Sequence, residues 1–506
     1  MLNVLGSTTI ILNTLLVGIG ATALSVTIGA LLALMLARIR TPGRAILSRL
    51  VTLPLYITPL LTAIAWSWLG SPRGGLINLF CRQVFGIDSI LNLHTAAGVI
   101  VISALSYVPL PFLLIGAALR GMDPALEESA RVHGASPLAA LRRVTLPLVL
   151  PATLGSALLV FVQAMGLFSV PAVLGMPSGF QVAGTEIYRQ LNSYPPRVSQ
   201  AAAWGFLLLI ATAGLVWLQA VLLRRRSYLT VTGKAFRPRM LDAGALRWLL
   251  AAFAWAYVIA AVILPVATLI WAALVQFITI DPKLMQFDLR HFRYVLFEYP
   301  KTYIALKNSL LLGAASATCV CALGLAISWV VVRTRSSLRT GLDQLSMAPL
   351  AMPSMVLALG LLWAYVGLKF LPIYGTLGIL LLAYVTHYLP FGVRSGSAAL
   401  RQLHTELEDA ARMSGATWSK TVRWIVLPLT RPTLIATGTL IFILGMQEVS
   451  SSILLYTSRT TVLSVAVFDL WEAGNVNALA ALSVTQLAIT FAALLLLFRT
   501  REEVVV

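Results

Sequence analysis

Acid–base or nucleophilic chemistry needs histidines, carboxylates or thiols gathered at one place, and this chain has few: five histidines, 18 acidic residues and three cysteines in 506 residues. No Ser/His/Asp set and no metal-ligand spacing stands out among them. Cys319 and Cys321 lie two apart inside an apolar run, so on a helix they point to different faces, and Cys81 is alone. They read as small apolar fillers, with neither a disulfide framework nor a metal site. No Gly-x-x-x-x-Gly-Lys-Ser/Thr is present. Gly233-Lys234 lacks both the upstream glycine and the following hydroxyl, so no P-loop binds nucleotide. His387, in an apolar run near Pro390, reads as a hydrogen-bonded packing residue. Two features remain: a polar stretch that occurs twice, and one acid, Glu448, at the end of an apolar run.

The repeated stretch reads Glu127-Glu128-Ser129-Ala130-Arg131-Val132-His133-Gly134-Ala135, and again Glu408-Asp409-Ala410-Ala411-Arg412-Met413-Ser414-Gly415-Ala416. From Glu127 to Pro151, 10 of 25 positions are identical to Glu408–Pro432. Local physics predicts helix–turn–helix. Asp123 can cap a helix with Pro124 in its first turn, and Thr405-Glu406-Leu407-Glu408 reads as a capping box. Glu127 with Arg131, and Glu408 with Arg412, are spaced as i,i+4 ion pairs. Gly134 and Gly415 suit the left-handed residue that ends a helix. Ser136-Pro137 and Thr417 can start the next one. The small residues Ser129, Ala130, Ala410 and Ala411 leave one flat side. A loop is ordinarily more variable than the elements it joins, so one better matched between copies than its flanking spans points to a partner surface.

The elements that carry these loops follow from composition. Hydrophobic residues make up 59% of the chain and charged ones 11%, with a mean hydropathy of +0.88. A soluble chain carries about 25% charged residues. Long apolar runs make this a polytopic all-α membrane protein. We count eleven spans, near 10–37, 51–69, 96–118, 148–170, 201–223, 249–275, 306–332, 344–367, 376–399, 430–447 and 477–498. The first run has no basic residue before it and Arg38 and Arg40 after it, the reverse of a secretory signal. With the N-terminus outside and the C-terminus cytoplasmic, 26 of the 37 basic residues fall on the inner side. That bias accounts for the net charge of +19 without nucleic acid.

The duplication extends beyond the loops. Asn13, Arg38, Pro54 and Trp68 stand 295 residues before Asn308, Arg333, Pro349 and Trp363, and Tyr107 and Pro109 stand 281 before Tyr388 and Pro390. The expected organisation is two parallel halves: residues 1–225 with about five spans and a loop at 120–147, a basic cytoplasmic linker at 226–247, and residues 248–506 with about six spans and a loop at 400–428. Glu448 belongs to one half only, since Leu167 stands at its aligned position. With Gln447 before it and Ser450-Ser451-Ser452 after, it either caps the next short helix or faces the outer mouth of a pathway, where it would meet a cationic solute.

The pattern Glu-Ala-Ala, three residues, Gly, nine residues, Ile-x-Leu-Pro is the cytoplasmic signature of ABC importer permeases of the binding-protein-dependent type I class. This chain resembles that family through Glu128-Ser129-Ala130…Gly134…Val144-x-Leu146-Pro147 and Asp409-Ala410-Ala411…Gly415…Ile425-x-Leu427-Pro428. Its departures are Ser129, Val144 and Asp409. The resemblance implies two fused permease domains in the bacterial cytoplasmic (inner) membrane. It implies that Glu127–Arg131 with Gly134, and Glu408–Arg412 with Gly415, form coupling helices for two copies of an ATPase subunit. ATP-Mg would sit on those partners, and this chain would hold no cofactor, no metal and no catalytic residue. Solute would come from a periplasmic or extracellular binding protein. The fused layout, with Phe168–Gly175 and Gln447–Leu455, looks like the ferric-iron permeases. Polyamines, thiamine, phosphonates and hexose phosphates are alternative cargoes. An ion-coupled secondary transporter, which would need carboxylates inside its spans, is the alternative class.

Overall fold

The computed structural model describes residues 4–88, 90–224, 244–277, 286–368 and 372–502. Most of the linker at 226–247 and its neighbour Arg225 lie outside them. The described residues are helical, with one isolated bridge between Val275 and Phe287. They contain eight helices long and apolar enough to cross a bilayer and three bent pairs, which give 11 spans if each pair is counted once. The apolar runs read from the sequence all fall on these elements.

Two of the bent pairs depart from simple spans. Arg44–Tyr56 with Pro59–Gly70 turns by 98°, and Arg339–Ala351 with Ser354–Val366 by 107°. The straight parts, 12 and 13 residues, are about 18–20 Å long, short of the ~30 Å hydrocarbon core. Prolines set the breaks: Pro54 and Pro59 in the first, Pro349 and Pro353 in the second, each without an N–H to continue a helix.

The chain forms two compact units, Met1–Phe287 and Asp288–Val506. Leu246–Leu274, which follows the linker in sequence and was assigned above to the second half, therefore lies in the first unit. It packs along Pro59–Gly70. Two polar side chains, one buried and one half-buried, fix it there: Tyr257 OH donates to Leu105 O at 3.1 Å and Trp66 Nε1 donates to Ala260 O at 3.1 Å.

Each unit is organised around a long leading helix, Val4–Arg38 in one and Pro300–Arg333 in the other. The same polar latches recur at corresponding positions. Asn13 Nδ2 donates to Gln181 O, and Asn308 Nδ2 to Thr461 O. Thr14 Oγ1 accepts from Ala183 N, and Ser309 Oγ from Leu463 N. Tyr107 OH donates to Gln163 O, and Tyr388 OH reaches Leu444 O. Such bonds tie each leading helix or its neighbour to backbone that would otherwise be unpaired. In the second unit Pro300–Arg333 crosses Leu377–Gln402 with backbones nearly touching. A Cβ on Gly324 would lie 2.5 Å from the Gly392 carbonyl carbon, the small-residue contact that lets span helices pack closely.

Candidate functional site: the two loop helices

Both repeated stretches fold as short helices between two spans. The first loop helix is Pro124–Val132, capped by Asp123, whose side chain accepts from Ala125 N at 2.9 Å. The second is Thr405–Met413. Each ends at a left-handed glycine, Gly134 at φ +84° and Gly415 at φ +81°, as their placement predicts. Ser136 Oγ accepts from Ala139 N at 3.2 Å and so starts the next helical turn. A wide turn follows in both copies, Leu141–Thr145 and Val422–Val426, before the helices Leu146–Met165 and Leu427–Gln447.

Exposure divides the predicted residues. Glu128, Ser129 and Arg131 are exposed in the first loop, as are Asp409, Ala410 and Arg412 in the second; Ala130 and Ala411 are half-buried. Val132 and Met413, at corresponding positions, are 84% and 90% exposed. Glu127 and Glu408 instead turn inward.

That inward turn corrects two local expectations. The i,i+4 pairs are not the contacts made. Glu408 Oε1 accepts from Arg333 Nε at 2.8 Å, with both side chains nearly buried. Glu127 lies 3.5 Å from Arg38 and accepts from Thr145 Oγ1 at 2.5 Å. A nearly buried arginine offers a carboxylate more than an exposed one on the same helix, because water screens the exposed pair. The capping box fails for the same reason. His404 occupies the cap position without a side-chain bond, and Glu408 is held by Arg333 rather than reaching back.

Glu448 ends the helix Leu427–Gln447, at the end remote from the loop helix. Its Oε1 accepts from Ser451 N at 3.0 Å and its Oε2 from Tyr388 OH at 2.9 Å. The carboxylate thus caps the turn that leads into Ser452–Leu455. The neighbouring Gln447 Nε2 is buried without a hydrogen-bond partner. His387 meets Tyr388 edge-on with ring centroids 5.1 Å apart, and its Nδ1 is buried with no hydrogen-bond partner. Sequence reasoning passed over Glu186, which is 3% exposed and held by Arg189 at 2.9 Å through both carboxylate oxygens and by Gln190. Its i,i+3 arginine was the available signal. Among the described residues no three His, Cys, Asp or Glu side chains assemble as metal ligands.

The described residues thus form a helical bundle of membrane-spanning length that carries two glycine-terminated loop helices. The chain belongs to the family described as the binding-protein-dependent transport system inner membrane component, whose pattern matches residues 25–228 and 320–500. It is 28% identical over 396 residues to a putative ferric transport system permease protein of Haemophilus influenzae, covering 77% of this chain and 61% of that one. It thus spans about three-fifths of that relative's length. It is 30% identical over 472 residues to a probable ABC transporter permease protein of Sinorhizobium fredii, covering 89% and 79%. Among solved structures, a bacterial alginate ABC transporter in complex with an alginate pentasaccharide-bound periplasmic protein matches with a TM-score of 0.39 at 25% identity, over 45% of this chain and 80% of that one.

Proposed function

We propose that this chain is the membrane-spanning permease of an ATP-driven importer that takes ferric iron from an external binding protein. The observation that carries the transport reading is the pair of loop helices: each stands between two spans, ends at a left-handed glycine, and exposes polar residues together with two large apolar ones, Leu126 and Val132 in the first and Leu407 and Met413 in the second. In this reading Glu128, Ser129, Ala130, Arg131 and Gly134 meet one ATPase subunit, and Asp409, Ala410, Ala411, Arg412 and Gly415 meet a second copy. Glu127 and Glu408 serve from behind. ATP-Mg is bound and hydrolysed on those partners. The loops, the linker at 226–247 and the C-terminus are cytoplasmic, and the N-terminus is outside.

Iron as cargo is supported by the ferric transport relative and by the acid Glu448, which with Gln447 lies at the far end of a span helix. The test is reconstitution in proteoliposomes with the ATPase and binding protein encoded beside this chain. ATP-dependent uptake of radioactive Fe(III), insensitive to an uncoupler, is the expected result. Uptake of a polyamine, thiamine, a phosphonate or a hexose phosphate in place of iron would retain the importer and replace the cargo. Uptake that needs no ATPase and collapses with the uncoupler would replace the class with an ion-coupled transporter.

A further inference from the structure

The inward-facing glutamates of the two loop helices are wired to different spans. In the second unit Glu408 is gripped by Arg333, the last residue of the leading helix. The same guanidinium donates through Nη2 to Leu400 O at 2.9 Å and Leu403 O at 2.8 Å. These carbonyls lie at the end of the span Leu377–Gln402 and at its cap residue, and Leu400 O also accepts from Leu403 N at 3.3 Å. Arg333 therefore joins the ends of the two long helices that precede the loop to the loop helix itself. Val426 stands where the first unit has Thr145, and its side chain has nothing to donate.

In the first unit the balance is reversed. Arg38 closes the leading helix as Arg333 does and is 4% exposed, but it stands 3.5 Å from Glu127, and its Nε and Nη2 find no partner. The short bond to Glu127 comes from Thr145, in the wide turn that opens the helix after the loop. The hydrogen bond of the first loop helix thus runs forward, to the span that follows it, with Arg38 behind it at ion-pair distance only, whereas that of the second runs backward, to the spans that precede it.

We infer that displacement of the two loop helices is transmitted to different spans, through Glu127–Thr145 in the first half and Glu408–Arg333 in the second. These four are positioning residues, and their role in transport rests on the function proposed above. In a duplicated permease this wiring makes the two loops unequal levers: a push on the second bears on the leading helix and its neighbour, and a push on the first bears on Leu146–Met165.

Spin labels on the full-length purified chain test the wiring without any ATPase. With Cys81, Cys319 and Cys321 replaced by serine, Val132→Cys and Met413→Cys place labels at the exposed, corresponding ends of the two loop helices. Glu408→Gln, which keeps shape and removes charge, is expected to mobilise the label at 413 and leave 132 unchanged. Thr145→Val is expected to mobilise 132, whereas Val426→Thr leaves 413 as it was. If Glu408→Gln or Thr145→Val leaves its own label immobile, or if Arg38→Lys loosens 132 as much as Thr145→Val does, the wiring is wrong.

With the ATPase bound, Glu408→Gln is expected to raise ATP hydrolysed per solute imported by roughly tenfold, the scale of one lost charge-assisted hydrogen bond. The exchange Arg333→Glu with Glu408→Arg is expected to recover part of that loss. Normal coupling in Glu408→Gln would overturn the transmission role. Absence of ATP-dependent uptake by the parent chain would instead overturn the proposed function and leave the label result standing.

Discussion

Replacing Glu448 by leucine, the residue type at the corresponding position of the first half, separates a structural carboxylate from a solute ligand. Tyr388 has one hydroxyl proton and two acceptors in reach, Glu448 Oε2 at 2.9 Å and Leu444 O at 3.1 Å. Without the acid, that proton can turn to Leu444 O, as Tyr107 donates to Gln163 O in the first unit. Ser451 N, on a residue only 3% exposed, has no such substitute once its 3.0 Å bond to Oε1 is gone. An unsatisfied buried donor costs about 1–3 kcal/mol, so Glu448→Leu should destabilise by about 2 kcal/mol. Glu448→Gln is milder. Its amide oxygen still accepts from Ser451, and its amide nitrogen donates to a Tyr388 hydroxyl turned toward Leu444. Only the charge assistance is lost, about 1 kcal/mol. The assay is the temperature at which detergent-solubilised protein leaves its monodisperse chromatographic peak, expected to fall in the order wild type, Gln, Leu. A leucine variant as stable as wild type, or a glutamine variant as damaged as leucine, would refute the capping argument. Wild-type iron uptake by the glutamine variant would remove Glu448 from the pathway and leave the cap.

Gly415 has open space where a Cβ would lie, so the left-handed φ of +81° is its sole constraint. Gly415→Ala should cost about 1 kcal/mol, measurable in the same thermal assay, while Gly415→Asp should still insert in the membrane but lose ATPase co-purification and transport. Tyr194, which is 101% exposed, and Met413 test orientation: a cysteine at 194 should react with an impermeant maleimide in intact cells and one at 413 should not, and the reverse pattern would invert the topology. Asn308 Nδ2 serves two carbonyls, Arg459 O at 3.1 Å and Thr461 O at 2.9 Å, where Asn13 Nδ2 serves Gln181 O. At about 1 kcal/mol net per bond, Asn308→Ala should lower thermal stability about twice as far as Asn13→Ala.

The apolar runs and the loop glycines were legible because each depends on its own residue and a few neighbours. A run of leucine, valine and alanine forms a span helix wherever it sits, and a glycine between two polar helices has few other uses. The partners of Glu127 and Glu408 were not legible from local spacing. Arg333 lies 75 residues before Glu408, and the nearer Arg412 satisfied a helix rule that burial overrides. The duplication held a clue: the arginines and the glutamates are each matched between the halves, as two residues in contact would be. Thr145 carried no such mark, since its counterpart is Val426. The place of Leu246–Leu274 was hidden for another reason. Its sequence position joins it to the second half, while the surface it covers belongs to Pro59–Gly70.

That helix bears on where the gene could be divided. A cut in the basic linker follows the sequence repeat, yet it would strip from the first fragment the helix that receives Trp66 and supplies Tyr257, leaving both hydrogen bonds to be remade between separate chains. A cut after Phe287, whose backbone pairs with Val275, keeps those contacts inside one polypeptide. Two co-expressed fragments divided there should assemble more readily than two divided at the linker, and a natural split of such a permease into separate subunits would have to exchange this helix between them.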